Sequence, residues 1–221
     1  MSYSPSDLVT YITSPYESLV KKYMRDTNSN YAQEDPEDPF LSIISSKGDK
    51  HETAILRDLI NEGKDITIIE KSDRATMLAE THEAILDGKE VIYQGSIENN
   101  NFYGRADFLI KRLTPSGLGD FSYEIWDAKL SKSVKPEHII QLCCYADILS
   151  GITESIPQYG FIISGDKSKL AVSMEDYFSF YSLVRDNFLI AQETELINPP
   201  NPGMFKNLGI FSGHAKSILE K

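Results

Sequence analysis

The sequence has little cysteine and no long apolar run. Its only two cysteines, Cys143 and Cys144, are adjacent. That spacing suits neither a disulfide framework nor a metal site, so we expect both to be small core residues. No stretch approaches the roughly 20 apolar residues that cross a bilayer. The first residues also lack the basic and apolar regions of a secretory signal. These absences predict a cytoplasmic protein without membrane contact.

Basic residues are outnumbered as well. The 221-residue chain carries 22 Lys and Arg against 33 Asp and Glu, a net charge of −11. Such a charge argues against a protein that coats nucleic acid nonspecifically, because Lys and Arg supply most of that affinity. Residues 105–135 are an exception, with six basic residues against four acidic. No P-loop or glycine-rich dinucleotide motif is present, so any unwinding of a strand needs another polypeptide or a longer parent chain.

Hydrophobic periodicity predicts an α/β fold with a central mixed β-sheet flanked by helices. An acidic, proline-broken loop over 33–39 is predicted to be mobile. The predicted helices cover residues 6–25 with a break at Ser14-Pro15, 49–61, 72–86, a segment around Gln141, and 174–195. The predicted strands cover residues 66–69, 90–98, 102–111, 121–129, 158–163 and 169–172.

Two predicted strands carry charges where the pattern otherwise indicates core. Asp107 directly precedes Phe108, while Asp127 and Lys129 share a strand face with Ile125. A neighbouring strand can bring Asp107 beside that face, and buried charge is costly unless it is paired or bound to a metal. The alternative for Asp127 and Lys129 is an ordinary solvated ion pair, which is common and weak.

The helix after this strand carries a polar row. His138, Gln141 and Tyr145 follow one another at helical spacing, away from the apolar stripe. The row either contacts a substrate or forms a solvated face with one amphipathic Tyr. The apolar stripe consists of Ile139, Leu142, Cys143, Ala146 and Leu149.

The order Gly-x-x-Asp, Asp-x-Lys and Gln-x-x-x-Tyr resembles the PD-(D/E)XK nuclease superfamily, specifically its RecB-like branch. The resemblance runs from the first helix to about residue 190. It implies a restriction-endonuclease-like core over residues 49–198. A helical N-terminal extension with the acidic loop over 1–48 and a C-terminal tail over 199–221 would complete the chain.

The resemblance also implies a set of site residues. Mg²⁺ or Mn²⁺ would be bound by His51, Asp107, Asp127 and Ala128. Lys129 would act on the attacking water or the scissile phosphate, and Gln141 and Tyr145 would position the substrate. The aspartates suit this role independently of the family, because Mg²⁺ prefers carboxylate and phosphate oxygens. The expected catalytic residues are Asp107, Asp127, Lys129, Gln141 and Tyr145.

Two neighbouring residues also have structural interpretations. His51 lies at the start of a predicted helix and could be an edge histidine. Glu52 completes a capping box with Asp49 as the N-cap residue. Many RecB-like nucleases also bind an iron-sulfur cluster through four cysteines. No cysteine lies near Ser14 or after residue 199, so we expect no cluster and expect packing to join the two termini.

Together these features predict a metal-dependent nuclease that hydrolyses DNA, an exonuclease of repair, recombination or replication. Its partners would be single-stranded DNA or strand ends and a helicase or other strand-delivering protein. The first alternative is a catalytically inactive nuclease-fold module that binds nucleic acid or protein. The second is a hydrolase of smaller phosphate esters, which would have a closed pocket in place of a groove.

Overall fold

Residues 2–220, which the computed structural model describes, divide into two units. The sheet unit consists of the chain up to Pro5 together with Phe40–Ser179. The terminal unit consists of Ser6–Pro39 together with the chain from Phe180 onward. This division differs from the predicted boundaries after residues 48 and 198, because the two ends of the chain pack with one another. Within residues 2–220, no helix is both long enough and apolar enough to cross a membrane.

The sheet unit is built on a mixed six-stranded sheet, as the sequence predicts. The strands follow chain order from one edge to the other. Strands β2, β3 and β4 form an antiparallel meander, β1 pairs parallel to β2, β5 pairs parallel to β4, and β6 is antiparallel to β5. The strands are β1 Ile66–Ile68, β2 Val91–Asn99, β3 Phe102–Arg112, β4 Ser122–Lys129, β5 Tyr159–Ser164 and β6 Lys169–Ser173.

Helices flank this sheet and also form the terminal unit. Helix α5 is the crossover between the parallel strands β4 and β5, which require a long connection. The break predicted at Ser14-Pro15 separates α1 from α2, and the Ser14 hydroxyl caps α2 by accepting the backbone N–H of Glu17. The helices are α1 Pro5–Thr13, α2 Pro15–Thr27, α3 Pro39–Asn61, α4 Arg74–Leu86, α5 Pro136–Thr153, α6 Met174–Glu193 and α7 Ser212–Leu219.

Helix α3 begins ten residues earlier than the sequence predicts. Gly48 lies inside it, although glycine costs a helix about 1 kcal/mol relative to alanine. The cost is offset further along, where Ile55 and Leu59 pack against Val91, Phe108 and Ile163 of the sheet. The predicted capping box is therefore wrong. Both of its residues lie in mid-helix, where no free helix end exists.

Helix α5 covers the opposite face of the sheet. Leu142 lies close to Gly160 of β5, whereas Ile163 of the same strand packs against α3. Gly160 and Ile163 are three residues apart, so they face opposite sides of the sheet. Cys143 and Cys144 are free thiols in the buried part of α5. Burial raises the pKa of Cys143 to about 12. Both cysteines are core residues, as predicted.

The terminal unit joins the two ends of the chain by packing. Its core combines Tyr16 and Val20 of α2 with Phe211 and Ala215 near the C-terminus. The acidic loop is held at Asp35, whose carboxylate accepts hydrogen bonds from the hydroxyl of Ser212 and the backbone N–H of Gly213. These donors fix the Asp35 side chain, while the mobility of the loop stays a prediction.

Candidate active site

Asp107 and Asp127 lie on neighbouring strands at the point where β3 and β4 part. The pairing of the two strands ends at Phe108 of β3 and Trp126 of β4. Asp107 precedes Phe108 and Asp127 follows Trp126, so the two aspartates lie just beyond the last pair. Oδ2 of Asp107 accepts a hydrogen bond of 2.7 Å from the backbone N–H of Ala128. A side-chain oxygen thus takes the place of a strand carbonyl, and this holds the Asp107 carboxylate between the strands.

The two carboxyls share a poorly neutralised environment. Burial, followed by the negative charges of Asp127 and Glu52, raises the pKa of Asp107 well above its usual range. Burial also raises the pKa of Asp127, although the positive charge of Lys129 opposes that shift. A raised carboxyl pKa means that the ionised form lacks sufficient solvation or positive partners. The pair therefore has an affinity for a proton or another cation.

Lys129 provides the closest positive charge. Its Nζ lies 2.8 Å from Oδ2 of Asp127, and its side chain keeps 21% of its area exposed. The ammonium is within hydrogen-bonding distance of this oxygen and opposes the effect of burial on the pKa of Asp127. Lys129 therefore neutralises Asp127 only in part, since the pKa of that carboxyl remains raised.

His51 does not join the aspartates. It is buried on α3, and its Nε2 donates to the carbonyl oxygen of Ile163 at 3.1 Å. Across residues 2–220, no group of three or more His, Cys, Asp or Glu side chains is arranged to hold a metal ion. The predicted three-ligand centre of His51, Asp107 and Asp127 is therefore not formed in this part of the chain. The carbonyl of a neighbouring strand satisfies the imidazole instead.

Glu52, rather than His51, is the α3 residue whose charge acts on Asp107. Its carboxylate accepts a hydrogen bond from the amide of Gln94 and another from the hydroxyl of Tyr93. Gln94 has a φ of 58°, a left-handed conformation that is unusual for a strand residue other than glycine. Sequence reasoning missed Glu52 because a helix cap explained it. Its position beside His51, within the same short segment, was the available signal.

Gln141 and Tyr145 lie beside the aspartates but engage each other. The Tyr145 hydroxyl donates to the carbonyl oxygen of Arg105 at 2.9 Å, and the Gln141 side chain bonds to the same hydroxyl. Burial, then the charges of the two aspartates, raises the pKa of Tyr145. A Cβ on Gly104 would lie 2.8 Å from the Tyr145 ring, so this glycine makes the close approach of α5 to β3 possible. The pair fixes the backbone of β3 next to Asp107.

His138 is a further residue at the edge of this site. Its Nδ1 accepts a hydrogen bond of 3.3 Å from the backbone N–H of Lys135, the N-cap residue of α5. Burial, followed by the positive charge of Lys129, lowers the pKa of His138. The imidazole in turn acts electrostatically on Asp127. Residues from α5 and β4 thus meet at the same carboxylate.

Basic residues are less concentrated here than the sequence suggests. Lys111 lies over the ring of Phe121, with 4.4 Å between Nζ and the ring centroid. Arg112 is paired with Glu124 at 3.3 Å. Both lie at the end of β3 away from Asp107, so they do not add to the positive charge beside Lys129.

Sequence comparison assigns no family to this chain. No protein-family model matches the chain, and no curated protein matches it. Among solved structures, the chain is similar to that described as the crystal structure of SSO0001, with 14% identity and a TM-score of 0.35. The similarity covers 90% of this chain and 79% of that one. A likeness at this TM-score carries no argument about function.

Proposed function

We propose that the chain is a metal-dependent nuclease with a restriction-endonuclease-like core that hydrolyses phosphodiester bonds of DNA. One observation carries the proposal: two carboxylates with raised pKa values meet where two strands part, beside a single lysine. Charges with little access to water and without matching partners are costly, and carboxyls with shifted pKa values cluster at functional sites. The order of motifs along the chain supports the same class.

The residues present fit a divalent cation. Asp107 and Asp127 supply hard oxygens, and Mg²⁺ is commonly bound by one or two carboxylates completed by water and substrate phosphate. Glu52 adds a third negative charge nearby, so Lys129 alone leaves the group net negative. Asp107 and Asp127 would hold the ion, with Ala128 at the same strand end. Bound there, the ion would supply Lewis acidity and an acidified water.

The chain's own residues would act on the substrate around these carboxylates. Lys129, partly exposed and beside Asp127, would place a compact positive charge against the phosphate. Gln141 and Tyr145 would hold the β3 backbone at Arg105, and with it the position of Asp107. Pre-set charges of this kind contribute because they need no reorganisation during the reaction.

A specific observation favours a second candidate, a nuclease-fold module that binds without cleaving. The described residues contain no three-ligand metal group, and a backbone carbonyl engages His51. Such a module would retain affinity for nucleic acid or for a protein while lacking hydrolysis.

Hydrolysis of end-labelled single- and double-stranded DNA with Mg²⁺ or Mn²⁺ tests the proposal. We expect Asp127→Asn and Lys129→Ala to lower the rate at least about a hundredfold. The chain contains a matched control, since Asp87 and Lys89 have the same spacing and lie 3.6 Å apart, with Asp87 exposed and Lys89 half-buried. Asp87→Asn and Lys89→Ala should leave the rate unchanged. Equal rates for both pairs of variants, or no cleavage with either metal, would remove the nuclease assignment.

A further inference from the structure

One ring nitrogen of His138 takes part in a hydrogen bond, and the other does not. Nδ1 accepts the backbone N–H of Lys135, and a nitrogen that accepts a hydrogen bond carries no proton. The neutral ring therefore carries its proton on Nε2. Among residues 2–220, Nε2 has no hydrogen-bond partner. The cap on α5 thus fixes the imidazole and leaves an N–H donor to spare.

The Nε2–H of His138 lies among the charged residues around Asp127. The charged residues that act on the ring are Lys129 and Asp127 from β4, with Glu137 and Lys135 from its own helix. The other members of the polar row on α5 are engaged, because Gln141 bonds to Tyr145 and the Tyr145 hydroxyl donates to β3. Within the row, the His138 Nε2–H is thus a donor held in place by the helix cap and close to the carboxylates.

We propose that His138 is a substrate-binding residue of this site, which donates its Nε2–H to a non-bridging oxygen of the phosphodiester. The proposal rests on the proposed function. A neutral donor suits the position, because it binds a phosphate oxygen without competing for Asp127 as a second ammonium would. The ring is already held by the helix cap, so binding requires little further ordering of this side chain.

Three substitutions separate the donor from the cap. Glu and Gln are the usual residues at this capping position because their side-chain oxygens accept the N-cap N–H. H138Q keeps the acceptor and a neutral donor, H138E keeps the acceptor but puts a negative charge in place of the donor, and H138A keeps neither. With labelled DNA and Mg²⁺ or Mn²⁺, we expect kcat/KM to fall about 10- to 100-fold in H138A and H138E. H138Q should stay within about threefold of the wild-type protein, as should H82A on the exposed face of α4.

Helix capping alone predicts a different pattern. If His138 only caps α5, folded H138A will match H138Q and the wild-type protein in kcat/KM, and this inference is overturned. Far-ultraviolet circular dichroism and thermal melting will show whether H138A remains folded. If it does not, the ¹⁵N signal of the wild-type protein, described next, decides the question.

A second readout does not depend on turnover. The chain has four histidines, so the imidazole nitrogens can be resolved by ¹⁵N NMR. On titration with thymidine 3′,5′-bisphosphate in Ca²⁺, we expect the Nε2 signal of His138 to move while that of His82 stays in place. A stationary Nε2 signal overturns the inference. Wild-type protein that cleaves no DNA contradicts the nuclease proposal, whereas active protein with an unaffected H138E contradicts only the role of His138.

Discussion

Replacing Asp107 by asparagine should make the metal-free protein more stable while abolishing its activity. The amide oxygen can still accept the backbone N–H of Ala128, which Oδ2 of Asp107 accepts at 2.7 Å. The amide N–H₂ offers a donor to Asp127, whose pKa is raised even with Lys129 beside it. The substitution also removes one of two neighbouring negative charges. Function and stability therefore oppose each other at this position.

The magnitude follows from the strand geometry. Cβ atoms of residues opposite each other on adjacent strands lie about 5 Å apart, and two unit charges at that distance repel by about 3 kcal/mol at an effective dielectric constant of 20. Lys129 offsets part of this repulsion through Asp127. We expect Asp107→Asn to raise the free energy of unfolding by about 1–2 kcal/mol at pH 8.

The effect has a defined pH dependence. Because the folded protein raises the pKa of Asp107 above its ordinary value of 3.8, the native state binds more protons than the unfolded state between those two pKa values. Stability of the wild-type protein must fall as pH rises through that window, and it levels off above the raised pKa. The asparagine variant lacks this contribution, so its advantage should grow with pH and vanish near pH 3.

Urea denaturation in EDTA measures the difference. Trp126 is the only tryptophan and lies next to Asp127, so its fluorescence reports the sheet unit. Asp87→Asn on the protein surface is the control and should change stability by less than about 0.5 kcal/mol at either pH. Adding Mg²⁺ at a hundred times its dissociation constant should stabilise the wild-type protein by about 2.7 kcal/mol and the variant much less. A variant that is less stable than wild type at pH 8 in EDTA would refute the reasoning.

Three further predictions concern α5 and the strand beneath it. Gly104→Ala should destabilise the protein by about 1–3 kcal/mol in urea denaturation, because the new Cβ meets the Tyr145 ring at 2.8 Å; an unchanged midpoint would contradict that contact. Tyr145→Phe should cost about 1 kcal/mol in the same assay through loss of the bond to Arg105; a more stable variant would show that the hydroxyl has no such role. The thiols of Cys143 and Cys144 should resist a disulfide reagent in the native state and react in urea, because both are buried; rapid native labelling would contradict their burial.

The strands could be predicted because their signals are local, whereas their full order in the sheet was not predicted. Alternating apolar residues indicated each strand of the sheet, and the charges at Asp107 and Asp127 stood out against them. Pairing of β3 with β4 agrees with their being consecutive along the chain, since consecutive strands are usually neighbours. The spacing of Asp127 and Lys129 alone also suited a solvated ion pair, and the chemistry of the site stays a proposal.

The direction of a side chain on a helix was harder to predict. His51 and Glu52 are adjacent, so their side chains leave α3 about 100° apart, and the sequence cannot say which one faces Asp107. The prediction also depended on where α3 begins. Gly48 argued against a helix that begins before it, so Glu52 was assigned to a helix cap. The buried contacts of Ile55 and Leu59 carry the helix through that glycine. Tertiary packing therefore decided both where α3 begins and which of the two side chains faces Asp107.

The division of the chain into its two units constrains how synthesis can proceed. Tyr16 and Val20 have their core partners at Phe211 and Ala215, which are synthesised long after them. The sheet unit has all its strands sooner and can fold as a separate body. The apolar face of α2 therefore stays uncovered until the later segment has been synthesised, so we expect it to be exposed to solvent in the nascent chain.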